Sequence, residues 1–158
     1  MNHKYLLLSA VAAVSLFVGS AVAQTPPPSP PSPADSAVLY RKSMYQVMYN
    51  NWVKVLLMSQ GKMPFDVKAV QLRAGRANYM AKMIVEGFGP ESAEGKPSRA
   101  KPEIWTNRGE FDTLMGNYQK AMTALEAAAK TGKLDKIAPA VNASRDACKA
   151  CHDKFRNE

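Results

Sequence analysis

From Asp35 onward the apolar positions recur every three or four residues, the spacing of one face of an α-helix. The first stripe is Val38, Arg41, Tyr45, Met48, Trp52 and Val55, with Asp35 or Ser36 as its capping residue. Gly61 ends it and Met63-Pro64-Phe65 makes a turn. Asp66 caps a second helix whose stripe is Val70, Ala74, Ala77, Ala81, Ile84 and Phe88, stopped by Gly89-Pro90. Residues 91–102, rich in Gly, Pro, Ser and charge, read as the longest loop. A third helix starts at Thr106 or Asn107 and buries Phe111, Leu114, Tyr118, Met122, Leu125 and Ala129 before Gly132. A fourth carries Ile137, Val141, Ser144, Cys148, Cys151 and Phe155 inward, with Pro139 near its start.

Four helices of this length, joined by turns and apolar along one side, predict an all-α fold. The arrangement is an antiparallel, up-down-up-down four-helix bundle. No stretch alternates with period two. Both cysteines lie on the inward stripe of the last helix, so whatever they bind sits inside the bundle near one end.

The sequence before Asp35 has a different character. Lys4 precedes an apolar run from Leu6 to Val18, and Ala21-Val22-Ala23 is a small-residue cleavage signal. Residues 1–23 therefore read as a signal peptide for export to the periplasm, leaving no stable membrane insertion after its removal. Residues 24–34 contain QTPPPSPPSP, whose prolines favour an extended tether. Residues 35–158 form the folded domain, a length that suits one hydrophobic core.

The chemistry sits at Cys148-Lys149-Ala150-Cys151-His152, a C-x-x-C-H pattern that reads as a covalent attachment site for c-type haem. Two thiols must reach the two vinyl groups of one porphyrin edge, and an imidazole must turn under the iron. On a helix, Cys148 and Cys151 share a face and His152 falls within the same arc. Structural zinc wants four ligands, and this motif supplies three. The remaining histidine, His3, belongs to the signal peptide. No βαβ pattern supports a thioredoxin-like pair, and a disulfide across two residues closes too small a loop to stabilise much. One haem c per chain, with His152 as the metal ligand, is the expected cofactor.

The formal charge of +8 includes Lys4, so the exported chain carries +7, from 20 basic and 13 acidic residues. Such an excess favours acidic partners or anionic surfaces. The basic residues are scattered along the sequence without any nucleic-acid-binding motif, which argues against DNA or RNA. No carboxylate pair, nucleophile-base pair or phosphate-cradling glycine loop marks an enzyme.

The segment from Cys148 to Arg156, together with Pro102-Glu103-Ile104-Trp105, Phe88-Gly89-Pro90 and Tyr40-Arg41-Lys42, resembles the cytochrome c′ family, class II of the c-type cytochromes. The resemblance covers nearly everything from Asp35 to Arg156. The haem motif is common to many cytochromes, whereas its place at the far end of a four-helix chain is more specific. The resemblance implies an iron bound by His152 and open on its other side, binding of nitric oxide and carbon monoxide, and a homodimer. It also implies that Arg41 meets a haem propionate, that Lys42 lies nearby and that Arg156 flanks the proximal face. The position above the open iron face falls on Tyr45.

Two methionines leave an alternative. Met44 is next to Tyr45 and Met48 lies one turn further along the same stripe. Either thioether on iron makes a low-spin carrier that passes single electrons to a periplasmic redox partner. Methionine also fills irregular cores well. A third reading is a haem-free bundle that uses Cys148, Cys151 and His152 for structure or metal delivery. No second histidine remains in the exported chain, so an intramolecular bis-histidine haem is excluded.

Overall fold

The computed structural model describes residues 29–158. The expected signal peptide and residues 24–28 of the tether lie outside the described residues. Helix α1 spans Pro33–Ser59, α2 Val67–Met83, α3 Glu103–Thr106, α4 Arg108–Lys130 and α5 Leu134–Phe155. Two short 3-10 helices, Ile84–Phe88 and Pro90–Ser92, continue from the end of α2. The four long helices form the antiparallel bundle that the periodicity predicts.

Helix α1 starts earlier than expected. Its cap is Ser32, whose side chain accepts from the Asp35 amide at 3.1 Å, with Pro33 at the first helical position. Proline fits there because its missing amide hydrogen is one that a helix start leaves unpaired anyway. Asp35 is instead a first-turn residue, and its other oxygen accepts from the Lys96 amide at 2.8 Å. Asp66 caps α2 as expected, accepting from the Ala69 amide at 3.1 Å. Gly61 and Gly132 close the two tight turns with φ of 69° and 67°, where a side chain would clash with its own backbone.

The third predicted helix is α4, and one short separate turn precedes it. Glu103–Thr106 makes a single turn, Asn107 breaks it at φ −119° and ψ 52°, and α4 begins at Arg108. The inward stripe of α4 also differs by one residue, since Met115 is buried and Leu114 is only half-buried. Both lie within one turn of Phe111, and packing selects the one that faces α5.

Helix α1 packs along α2, α2 along α4, and α4 along α5, whereas α1 and α5 meet much less. Their separation opens a slot at the end of the bundle where α1 begins and α5 ends. The slot's inner end is closed by a buried hydrogen bond from Trp52 Nε1 to Ser144 Oγ at 2.8 Å. Phe88, Phe111 and Phe155 run beneath it, with ring centroids 5.0 Å and 5.6 Å apart along the row. Each aromatic buried this way contributes roughly 1.5–3 kcal/mol, and each pair about 0.5–1.5 kcal/mol beyond its area.

The loop before α3 is tied at both ends. Ala100 pairs with Arg156 as an isolated antiparallel bridge, with Lys101 N donating to Phe155 O at 3.0 Å and Asn157 N to Arg99 O at 2.8 Å. The loop and the C-terminal residues thus form one rim of the slot. Among the described residues, no helix is long and apolar enough to cross a membrane.

Candidate functional site

The slot is a cavity of about 980 Å³, at the upper end of the roughly 300–1,000 Å³ usual for small-molecule and cofactor sites. Helix α5 presents Cys148, Cys151 and His152 on one side, and α1 presents Arg41, Lys42, Tyr45, Met48 and Trp52 on the other. Arg156 completes the rim. All seven residues that the sequence singles out therefore line one space, although Arg41 and Arg156 are 115 positions apart in the chain.

The two alternative ligands are placed differently. Met48 lines the cavity and is buried, whereas Met44 packs against the core without lining it. Tyr45 is the residue that faces His152, with ring centroids 6.5 Å apart and planes inclined by 57°.

Burial dominates the electrostatics. It pushes the Cys148 thiol up to about 11, with the neighbouring Cys151 adding to the effect. Cys151 is raised by burial as well. Both are free thiols. Burial lowers His152, and the Arg156 guanidinium lowers it further, so the ring is neutral at pH 7 with a lone pair to offer. Arg156 approaches from one side, its NH1 lying 3.4 Å from His152 Nδ1. Burial also raises Tyr45, followed by the effect of Cys151 and Cys148, so its phenol stays protonated.

Arg41 is buried yet well held. NH1 donates to Gly87 O at 2.9 Å, NH2 donates to Ser98 Oγ at 2.7 Å, and the guanidinium lies 4.9 Å from the Phe88 ring centroid. No carboxylate is bonded to it. A guanidinium has five donors in a fixed fork, so an anion entering the cavity finds some of them free. Burial lowers its proton affinity, but arginine remains charged.

Helical spacing alone places Tyr118 with the core. It is 4% exposed and lines the same cavity, and its hydroxyl is the one buried side-chain oxygen or nitrogen among the described residues without a hydrogen-bond partner. Its place on the α4 stripe was visible in the sequence; the direction of its hydroxyl was not. Met115 and Phe111 also line the cavity, whereas Trp105 lies outside it and donates to Gly89 O at 3.0 Å.

These residues fit a haem. A deep apolar slot takes the ring, two thiols and one neutral imidazole stand on a single helical face, a guanidinium waits at the side, and an orphaned hydroxyl looks inward. A four-helix bundle with C-x-x-C-H on its last helix and a slot behind it defines a class II c-type cytochrome. Residues 36–156 match the family model for cytochrome C′. A cytochrome c′ from Rubrivivax gelatinosus is 35% identical over 122 residues, spanning 77% of this chain and 95% of the relative. A crystal structure of cytochrome c′ from that organism superposes with a TM-score of 0.76 at 34% identity, covering 78% of this chain and 97% of that one. The nitric oxide complex of a leucine-to-isoleucine variant of cytochrome c prime from Alcaligenes xylosoxidans gives a TM-score of 0.74 at 28% identity, covering 79% and 97%. The chain belongs to the cytochrome c′ family, whose cofactor is covalent haem c.

Proposed function

We propose that this protein is an exported, periplasmic haem protein that binds diatomic gases, nitric oxide and carbon monoxide, on an open face of its iron. The haem supplies the metal to which the gas bonds. Cys148 and Cys151 would hold it covalently, each thiol by a thioether bond formed by addition of S–H across one vinyl group. His152 would hold the iron through its available lone pair. The observation that carries the open-face reading is the Tyr45 ring opposite His152, in a position where a phenol kept protonated by burial is a poor ligand.

The remaining residues position the cofactor. Arg41 and Lys42 would meet the propionates, the guanidinium with the donors that Gly87 O and Ser98 Oγ leave free and the ammonium as a point charge. Arg156 flanks His152. With iron on one ring nitrogen, the neutral imidazole carries its hydrogen on the other, leaving no lone pair for Arg156. The guanidinium then turns toward solvent or toward a ligand. Crowding by Tyr45 and the apolar wall disfavours ligands that depend on a donated hydrogen bond, and nitric oxide depends on it least.

The protein works as a homodimer. Leu39, Leu72 and Tyr79 are 61%, 54% and 62% exposed on α1 and α2, an apolar surface that a second copy would cover.

A second reading keeps one specific support: Met48 lines the cavity one turn from Tyr45. Its thioether on iron would make a low-spin one-electron carrier. Absorption spectra of the purified protein separate the two. Broad high-spin bands that shift with nitric oxide in the reduced state agree with the open face. Sharp low-spin bands, with the red charge-transfer band of thioether-bound ferric haem, would overturn it.

A further inference from the structure

The positive charge of this protein is spread along its sequence but not over its surface. Residues 29–158 hold 20 basic and 13 acidic residues, a net +7. The cavity is lined by Arg41, Lys42, Arg99, Arg145, Lys149 and Arg156 against the single acid Asp153, a net +5. The rest of the domain, with fourteen basic and twelve acidic residues, carries only +2. Five of the seven excess positive charges line this one cavity.

This charge is also held in place. The bridge between Ala100 and Arg156 sets Arg99 beside Arg156, and Arg99 Nε donates to Asn157 O at 2.9 Å. Lys149 is paired with Asp153 at 2.5 Å, and Arg145 reaches Asp146 only at 3.7 Å. Lys42, Arg99 and Arg156 have no carboxylate partner among the described residues, and all three are exposed. Two propionates entering the slot would still leave the mouth positive. Fixed like charges without counter-charges destabilise the monomer slightly, and an anionic partner turns that penalty into attraction.

We propose that this basic mouth is the docking surface for an acidic protein that exchanges one electron with the haem, ferric iron becoming ferrous as the partner is oxidised by one electron, or the reverse. The inference rests on the cofactor occupying the slot, whose opening the positive residues surround. An anionic membrane is the weaker fit. The ring surrounds a concave opening, and among its lining residues Tyr49 is the one exposed large hydrophobic side chain, too little to anchor in a bilayer.

The test compares two double variants of equal net charge in the haem-loaded protein. Arg99→Glu with Arg145→Glu lowers the charge of the mouth by four. Lys62→Glu with Lys136→Glu makes the same change at the opposite end of the bundle, where the α1–α2 turn lies and α5 begins. Reduced flavodoxin, an acidic one-electron protein, serves as the probe, and reduction of the ferric haem is followed by stopped flow across ionic strength. At low salt the mouth variant is expected to react about tenfold more slowly than the native protein, within the range of electrostatic steering. The remote variant is expected to change less than twofold, and all three rates converge at high salt. Equal slowing by both variants would mean that net charge alone acts, and no slowing by the mouth variant would mean that the partner docks elsewhere. Either result overturns the proposal. So does a mouth-dependent sedimentation with phosphatidylglycerol vesicles in the absence of a rate effect, which would assign the surface to a membrane. Failure of the cofactor reading is distinguishable, because a chain without covalent haem accepts no electron before any variant is compared.

Discussion

The rings of Tyr45 and His152 face each other across the cavity with centroids 6.5 Å apart, one from the first long helix and the other from the last. A gas bound opposite His152 must therefore displace or skirt the Tyr45 ring. Replacing Tyr45 by alanine clears that space. Carbon monoxide association with the ferrous protein, measured by flash photolysis, is expected to accelerate at least about tenfold, the scale of a barrier lowered by roughly 1.4 kcal/mol. An unchanged rate would show that the ring does not gate the iron.

The orphaned hydroxyl of Tyr118 gives a second prediction. A buried polar group without a partner costs about 1–3 kcal/mol. Tyr118→Phe is therefore expected to raise the stability of the haem-free chain by an amount of that order, read from urea unfolding. In the haem-loaded protein the gain is expected to vanish, because the contents of the slot offer the hydroxyl an acceptor. An equal gain in both forms would mean that the hydroxyl stays unpaired throughout.

The long helices were legible because their periodicity is strong and glycine and proline punctuate it. The site was legible as far as chemistry depends on adjacency: Cys148, Cys151 and His152 form one local motif. Arg41 and Tyr45 came from the family resemblance and from their place on an inward stripe. What could not be read depends on contacts between distant segments. Ser98, which accepts from Arg41, lies in a loop 57 positions away. The pairing of that loop with Arg156 has no local signal, so the concentration of charge at the mouth stayed hidden in a scattered sequence. The choice of Met115 over Leu114 was likewise decided by packing, since either residue satisfies helical spacing.

The thiols supply a pH dependence. A cysteine whose proton affinity is raised is protonated over a wider range, and the thiolate is the reactive species. Cys148, pushed up from 9.0 to about 11, should carry about one hundredth of the thiolate of a free cysteine at pH 8. In the haem-free chain, alkylation of Cys148 by iodoacetamide is expected to be slow at pH 8 and to rise steadily with pH toward 11. Thiolate is the form disfavoured by burial, so the folded chain loses stability as pH rises past the unfolded value near 9. Fast alkylation at pH 8 under native conditions would contradict the burial of this thiol.

Gly87 tests how Arg41 is held. A Cβ at this position would lie 2.6 Å from Arg41 Cβ and 3.2 Å from both Ala37 O and Arg41 Cα, so the 3-10 helix Ile84–Phe88 sits directly on the backbone of α1. Helix α1 is held by its long packing along α2. In Gly87→Ala the 3-10 helix must move outward instead, drawing Gly87 O away from Arg41 NH1 and Phe88 away from the guanidinium. Overpacking of this kind costs about 1–3 kcal/mol, measurable by urea unfolding of the haem-loaded protein. Gly116 is the control: it lies inside α4, and a Cβ added there would meet nothing within 4 Å. Gly116→Ala is expected to stabilise by about 0.5–1 kcal/mol through helix propensity alone. If Gly87→Ala were as benign as Gly116→Ala, the close approach would be dispensable, and Arg41 would have to be held by Ser98 and the cofactor instead.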